Sequence, residues 1–157
     1  MSKERRKLYL AYGSNLDRQQ MAFRCPTATV VGTGTIKDYR LMFKGSKTGS
    51  YLTIEPAPGF EVPVAVWSVT AHDEMRLDIY EGFPQFYYKA DVRLPVHYSE
   101  SDKVVMKNAF VYIMHEDHHL GRPSKSYMDV CTNGYEDFGF DLQVLREAYK
   151  FSIGEVK

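Results

Sequence analysis

The sequence predicts an α+β fold, and three observations carry that prediction. Residues 86–97 and 104–114 read as strands; in the first, Tyr87, Lys89, Asp91 and Arg93 interleave with Tyr88, Ala90, Val92 and Leu94, the period-two pattern of a strand with one covered face. Tyr127, Cys131 and Tyr135 recur at helical spacing toward the C-terminal end. Between the strand candidates, Thr70 precedes an acidic first turn containing Asp73 and Glu74, which marks a capped helix. Many strands with helices at the switches and at the end define the α+β class.

Taken in order, residues 7–12 form an apolar strand and 17–24 a short helix. Residues 28–36 and 39–44, rich in Thr, Val, Tyr and Phe, are two further strands. Gly45 to Ser50 is a loop without the spacing of a phosphate-binding loop, whose lysine directly follows a second glycine. Residues 51–55 and 62–69 are strands on either side of a Pro56–Pro63 turn region, and Thr70 caps a helix over 71–80. After the two long strands, Ser124 follows Pro123 as a helix cap. Asp141 caps a last helix carrying Leu142, Leu145 and Ala148 or Tyr149. No repeat, low-complexity tract or linker divides the chain, so 1–157 is expected to be a single domain.

A chain of 157 residues can bury a substantial core. Lys plus Arg and Asp plus Glu both number 20, so no electrostatic footprint for nucleic acid or an acidic membrane is expected. The small basic cluster Arg5-Arg6-Lys7 reads as a frayed terminus. No run is long and apolar enough to cross a bilayer, and the first seven residues lack a signal-type apolar region, which predicts a cytoplasmic protein. Cys25 and Cys131 are far apart with no metal spacing, and Cys131 reads as a buried thiol on a helix face. Twelve tyrosines and nine phenylalanines without interleaved basic residues suggest an aromatic core or pocket rather than a base-stacking platform.

Two segments bear on chemistry. In Leu8-Tyr9-Leu10-Ala11-Tyr12-Gly13-Ser14-Asn15-Leu16 the strand breaks abruptly into Gly-Ser-Asn. Gly13 is able to take a positive φ, and Ser14 and Asn15 bond their own backbone or cap a helix. Such a turn either simply redirects the chain or aims unpaired N–H groups at a carboxylate or oxyanion. In Leu77-Asp78-Ile79-Tyr80-Glu81-Gly82, Glu81 either ends a helix on the surface with Gly82 as its cap, or serves as a base raised toward neutrality among Ile79, Tyr80, Phe83 and Phe86. Its position at a helix C-terminus is unfavourable for a carboxylate, which weighs against the surface reading.

Together the two segments resemble the γ-glutamylcyclotransferase-like family, which includes the AIG2-like proteins. The hallmarks are the Tyr-Gly-Ser-Asn-Leu turn, here Tyr12, Gly13, Ser14, Asn15 and Leu16, and the Leu-Asp-x-x-Glu-Gly motif, here Leu77, Asp78, Glu81 and Gly82. Arg24-Cys25-Pro26 with Ala28 and Gly32, Tyr39 to Phe43, Tyr88, and Pro123-Ser124 with Tyr127 are similar to later family segments, in order. The resemblance implies a small mixed β-barrel flanked by helices, with the pocket at the barrel mouth. It implies intramolecular aminolysis: the α-amine of a γ-glutamyl group attacks its own γ-carbonyl, releasing 5-oxoproline and an amine. Nucleophile and electrophile share one molecule, so no metal or cofactor is required, and positioning alone is worth about 7–11 kcal/mol at the extreme. Glu81 is the implied general acid/base. Gly13, Ser14 and Asn15 are implied to hold the α-carboxylate or oxyanion with their amides, and Tyr88 and Tyr127 to line the pocket. Ordinary half-buried tyrosine remains the competing reading for the last two. Tyr12 is expected to shape the strand end, with its hydroxyl in reach of the pocket.

His115-Glu116-Asp117-His118-His119 fits the string H-E-x-x-H. That zinc chemistry needs a helix so that both histidines share a face, whereas the segment follows a strand and reads as a polar loop. The expected partner is a small γ-glutamyl molecule. The competing function is a non-catalytic small-molecule binding or interaction module on the same fold, against which the coexistence of the turn and Glu81 argues, since a binder needs no general base.

Overall fold

Closure of the sheet follows from which strands find partners. In the computed structural model, which describes residues 5–46 and 49–155, β1 (Arg6–Ala11) pairs antiparallel with the end of a long strand that becomes β3 (Gly49–Thr70), Arg6 opposite Thr70 and Ala11 opposite Ala65. Along most of its length β3 is also paired with β2 (Thr29–Ser46). β4 (Tyr87–Tyr98) and β5 (Val104–Met114) form an antiparallel hairpin, from Tyr87 opposite Met114 to His97 opposite Val104. β5 touches β1 in parallel at Phe110 and Tyr9, and β4 meets β2 at Gly32 and Thr33. The order β3-β1-β5-β4-β2 therefore returns to β3 and closes a five-stranded barrel, with β6 (His119–Leu120) added beside Lys44 and Gly45. Closure removes most of the edges an open sheet would expose.

Each helix starts on a side-chain cap that the sequence supplies. Asp17 accepts from the Gln19 and Gln20 N–H groups at the head of α1 (Arg18–Arg24). Thr70 and Asp73 cap each other's backbone reciprocally at the head of α2 (Ala71–Glu81), a capping box. Ser124 and Asp141 do the same work singly for α3 (Lys125–Phe138) and α4 (Leu142–Ser152). A cap of this kind is worth about 1 kcal/mol. α4 is fastened to the barrel by the buried Ser152 hydroxyl, which donates to Ala148 O (2.7 Å) and accepts from Phe43 N (2.8 Å). Leu10, Phe43, Ile54, Val66, Leu77, Met114 and Tyr135 are fully buried and belong to one continuous core.

Several sequence expectations require correction. The segments 28–36 and 39–44 are one strand with irregularities after Val30 and Lys37, not two. The loop over 45–50 is largely absent as such: pairing continues to Ser46 opposite Gly49, and residues 47–48 lie outside the described residues. β3 is likewise unbroken through the Pro56–Pro63 region. Pro56 and Pro63 occupy paired positions, opposite Tyr39 and Thr35, while residues 57–60 bulge out opposite Asp38, whose carboxylate accepts from Gly59 N (3.0 Å). Prolines interrupt a ladder by withholding a donor without ending the strand. Arg6 and Lys7 begin β1 instead of fraying: Arg6 donates to Ser68 Oγ and Thr27 O, and Lys7 pairs with Glu74 at 3.0 Å. Residues 1–4 of that terminus lie outside the described residues. Among the described residues no helix is long and apolar enough to cross a membrane.

Candidate active site

A cavity of about 400 Å³ opens where β1 ends and β4 begins. Its walls come from the end of β1 and the following turn (Tyr9, Tyr12, Gly13, Ser14, Asn15), the start of β3 (Tyr51, Leu52), the end of α2 (Tyr80, Glu81), the approach to β4 (Phe86, Tyr87), Tyr112 of β5 and Tyr127 of α3. Seven of the lining residues are tyrosines, so the walls are apolar rings carrying hydroxyls. That is the composition of a pocket for a small, partly polar molecule.

Residues Ser14–Leu16 form a single 3-10 turn. Leu16 N donates to Gly13 O and Asp17 N to Ser14 O, both at 3.0 Å. No side chain caps the turn, and among the described residues the N–H groups of Ser14 and Asn15 have no protein acceptor. Gly13 has φ −129°, so the expected positive φ is not what it supplies. It supplies room: a Cβ there would stand 3.3 Å from the Tyr127 hydroxyl and 3.5 Å from Leu52. Leu16 is fully buried and is absent from the cavity wall; its role is to anchor the turn against α3.

Glu81 is the last residue of α2, released by Gly82 in the left-handed conformation (φ 64°). The helix ends here because Gly82 takes that conformation without a Cβ penalty. The Glu81 carboxyl turns into the cavity and is enclosed by its walls. Desolvation there raises its pKa to about 7, opposed by the charge of Arg24. Among the described residues no hydrogen bond ties the carboxyl down. A perturbed carboxyl lining a cleft marks a candidate functional group. Tyr80 and Phe86 supply the apolar setting; Ile79, expected beside them, points to solvent (77% exposed).

The structure brings Tyr12, Gly13, Ser14, Asn15, Glu81 and Tyr127 together. Tyr88 is not among them. Successive strand residues face opposite sides, so Tyr87 enters the cavity while Tyr88 donates to Glu116 Oε2 (3.0 Å) beside the His115 ring. The Tyr88 phenol is pushed up to about 12, mainly by burial and then by that carboxylate. The sequence reading missed Tyr9, Tyr51, Tyr87 and Tyr112; the alternation placing Tyr87 and Tyr112 on one face was its available signal. His115 to His119 are not helical: His115 bonds Pro84 O (2.7 Å) and His119 lies in β6, so the zinc-binding geometry of the string is not formed.

A closed small barrel whose helix-borne carboxyl shares an aromatic cavity with an uncapped turn defines a class of small-molecule site suited to proton transfer. A family model described as "Gamma-glutamyl cyclotransferase, AIG2-like" matches residues 9–129, and the chain belongs to that family. It is similar to the gamma-glutamylcyclotransferase of Homo sapiens (29% identical over 143 residues, 87% of this chain and 73% of the relative). The Bos taurus protein of the same name is also 29% identical, over 157 residues, 96% of this chain and 81% of the relative. A solved structure named "Gamma-glutamyl cyclotransferase" superposes with a TM-score of 0.78 at 26% identity, covering 92% of this chain and 86% of that one.

Proposed function

We propose that the protein is a cyclotransferase acting on a γ-glutamyl amide, closing the γ-glutamyl group to 5-oxoproline and releasing an amine. The observation that carries this reading is Glu81, a carboxyl with a pKa near 7 facing a tyrosine-walled cavity beside the turn's free amides. The substrate enters with its amine as ammonium. Glu81, ionised, takes a proton from it, and the neutral amine attacks the γ-carbonyl carbon. The C–N bond to the leaving amine breaks as Glu81 returns that proton to the leaving nitrogen. The ring nitrogen's surplus proton then passes through Glu81 to the free amine, which departs as ammonium. One group serves these transfers because its pKa lies near the working pH, where neither protonation state is scarce. The amides of the turn hold the α-carboxylate and so set the fold of the chain for ring closure, the step on which positioning has most leverage.

The test is release of 5-oxoproline from a panel of γ-glutamyl amino acids, γ-glutamylamines and glutathione. Glu81→Gln is expected to lose at least about 100-fold in kcat while keeping the wild-type circular dichroism spectrum. Turnover by the variant at the wild-type rate would remove Glu81 from the chemistry. A folded wild type that is silent across the panel would favour a binding module instead.

A further inference from the structure

Three of the cavity tyrosines spend their phenolic protons on the protein. Tyr12 donates to Tyr112 O (2.7 Å), Tyr87 to Leu52 O (2.8 Å) and Tyr112 to Asp78 Oδ1 (2.5 Å). Tyr127 accepts from Leu52 N (3.1 Å). Ser14 and Tyr80 bond each other at 3.0 Å. Tyr9 is the one among these to which a side-chain amide donates.

Its hydroxyl oxygen is an acceptor by construction. Arg24 bonds Asn15 Oδ1, and a guanidinium has only donors, so that contact fixes which end of the Asn15 amide carries the oxygen. The other end, Nδ2, must then donate to the Tyr9 hydroxyl, which it meets at 2.9 Å. Arg24 is itself held by Gln20 Oε1 (3.1 Å) and by lying 3.3 Å over the Tyr80 ring. With Asn15 on its oxygen, the Tyr9 proton points elsewhere, and among the described residues no protein acceptor takes it. Burial keeps the phenol neutral, and Tyr9 and Glu81 line the same cavity.

We propose that Tyr9 is a catalytic residue that donates its phenolic hydrogen bond to the γ-carbonyl oxygen of the substrate, with Asn15 and Arg24 as the positioning pair that aims it. The inference rests on the cyclotransferase reading, and chemistry then selects the acceptor. Glu81 must reach the attacking and leaving nitrogens, both of which flank the γ-carbonyl carbon during reaction. The acceptor beside Glu81 is therefore the oxygen of that carbonyl. As the C–N bond forms, the carbonyl π pair moves onto oxygen, and it returns when the second C–N bond breaks. Tyr9 strengthens its hydrogen bond to the developing charge and keeps its proton throughout, while the mobile proton travels through Glu81. A fixed neutral donor stabilises the charged species more than the neutral ground state.

The test is steady-state kinetics of the whole chain on its best γ-glutamyl substrate. Tyr9→Phe is expected to lower kcat about 100- to 1,000-fold with KM within about threefold of wild type and an unchanged circular dichroism spectrum. A kcat within about threefold of wild type overturns the proposal and leaves the cyclotransferase reading standing; a wild type without turnover on any γ-glutamyl amide overturns both. Asn15→Ala keeps the Tyr9 ring and the backbone amides, so it carries the test if Tyr9→Phe does not fold. It is expected to lower kcat about tenfold with KM within about threefold of wild type, and an unchanged kcat in the folded variant overturns the positioning role. Where Tyr9→Phe folds, Asn15→Ala should cost nothing further in that background, because residues acting as one unit are not additive. Independent, multiplicative losses would mean that Asn15 acts otherwise than through Tyr9.

Discussion

Tyr112 donates its phenolic proton to Asp78 Oδ1 at 2.5 Å, and Lys89 closes on the same carboxylate at 2.9 Å. Asp78 precedes the catalytic candidate Glu81 by three residues, yet it does not line the cavity. It fastens α2 to β4 and β5 and fixes a tyrosine of the cavity wall, while Lys89 also reaches Glu74 at 2.6 Å. Asp78→Ala leaves Tyr112 without its acceptor and Lys89 with one partner. A charge-assisted hydrogen bond lost in this way costs about 1.5–3 kcal/mol; partial exposure of the Asp78 and Lys89 side chains (27% and 21%) puts the expected loss near the lower end. Urea unfolding should show a lower midpoint with an unchanged slope, and an unmoved midpoint would assign Asp78 no structural share.

Gly134 of α3 is where the helix meets the turn. A Cβ there would lie 2.5 Å from Leu16 Cβ and 3.0 Å from Leu16 C, and both residues are buried. Alanine favours a helix over glycine by about 1 kcal/mol, whereas overpacking a rigid core costs about 1–3 kcal/mol. The neighbour that must move is backbone, so the clash wins. Gly134→Ala is expected to lower the melting temperature and, by shifting Ser14 and Asn15, to raise KM for a γ-glutamyl substrate several-fold. A variant more stable than wild type, with KM unchanged, would show that the turn moves freely against α3.

The strands and caps were legible because each depends on neighbours in sequence. Thr70 and Asp73 stand three apart, as a capping box requires, and the alternation over 86–97 marks a strand whatever it packs against. Barrel closure was not legible from pattern, since the meeting of β4 with β2 at Gly32 and Thr33 joins segments more than 60 residues apart. Glu81 and the turn could be named because they sit in contiguous motifs. Tyr9, Tyr87 and Tyr112 join the site only when three strands lie side by side. Tyr88 was assigned to the cavity by resemblance, and the period of two put its neighbour there instead.

Arg24 is the one described cation whose charge bears on Glu81, and it acts to lower the carboxyl's pKa against desolvation. Removing that charge with Arg24→Gln leaves desolvation unopposed, so the Glu81 pKa should rise above about 7. The acid limb of log(kcat/KM) against pH, which reports ionisation of the free enzyme's base, should therefore move to higher pH than in the wild type. A limb that stays put, or moves to lower pH, would break the link between Arg24 and the base.

The same raised pKa must also appear in stability. In the unfolded chain Glu81 titrates near the ordinary glutamate value of about 4.3, and in the folded protein near 7. Between those values the folded state holds the proton more tightly, so this carboxyl favours folding at low pH and loses that contribution as pH rises through 7. Glu81→Gln replaces it with a neutral group that never titrates. Below about pH 4 the variant and the wild type should differ little through this group, and the variant should gain on the wild type as pH rises, levelling off above pH 7 at about 3–4 kcal/mol. Urea unfolding of both proteins at pH 4, 6 and 8.5 measures that gain. A difference constant across the three would mean that Glu81 titrates alike in the folded and unfolded chain, and the cavity would then hold an ordinary, permanently ionised carboxylate with no proton to return to a leaving amine.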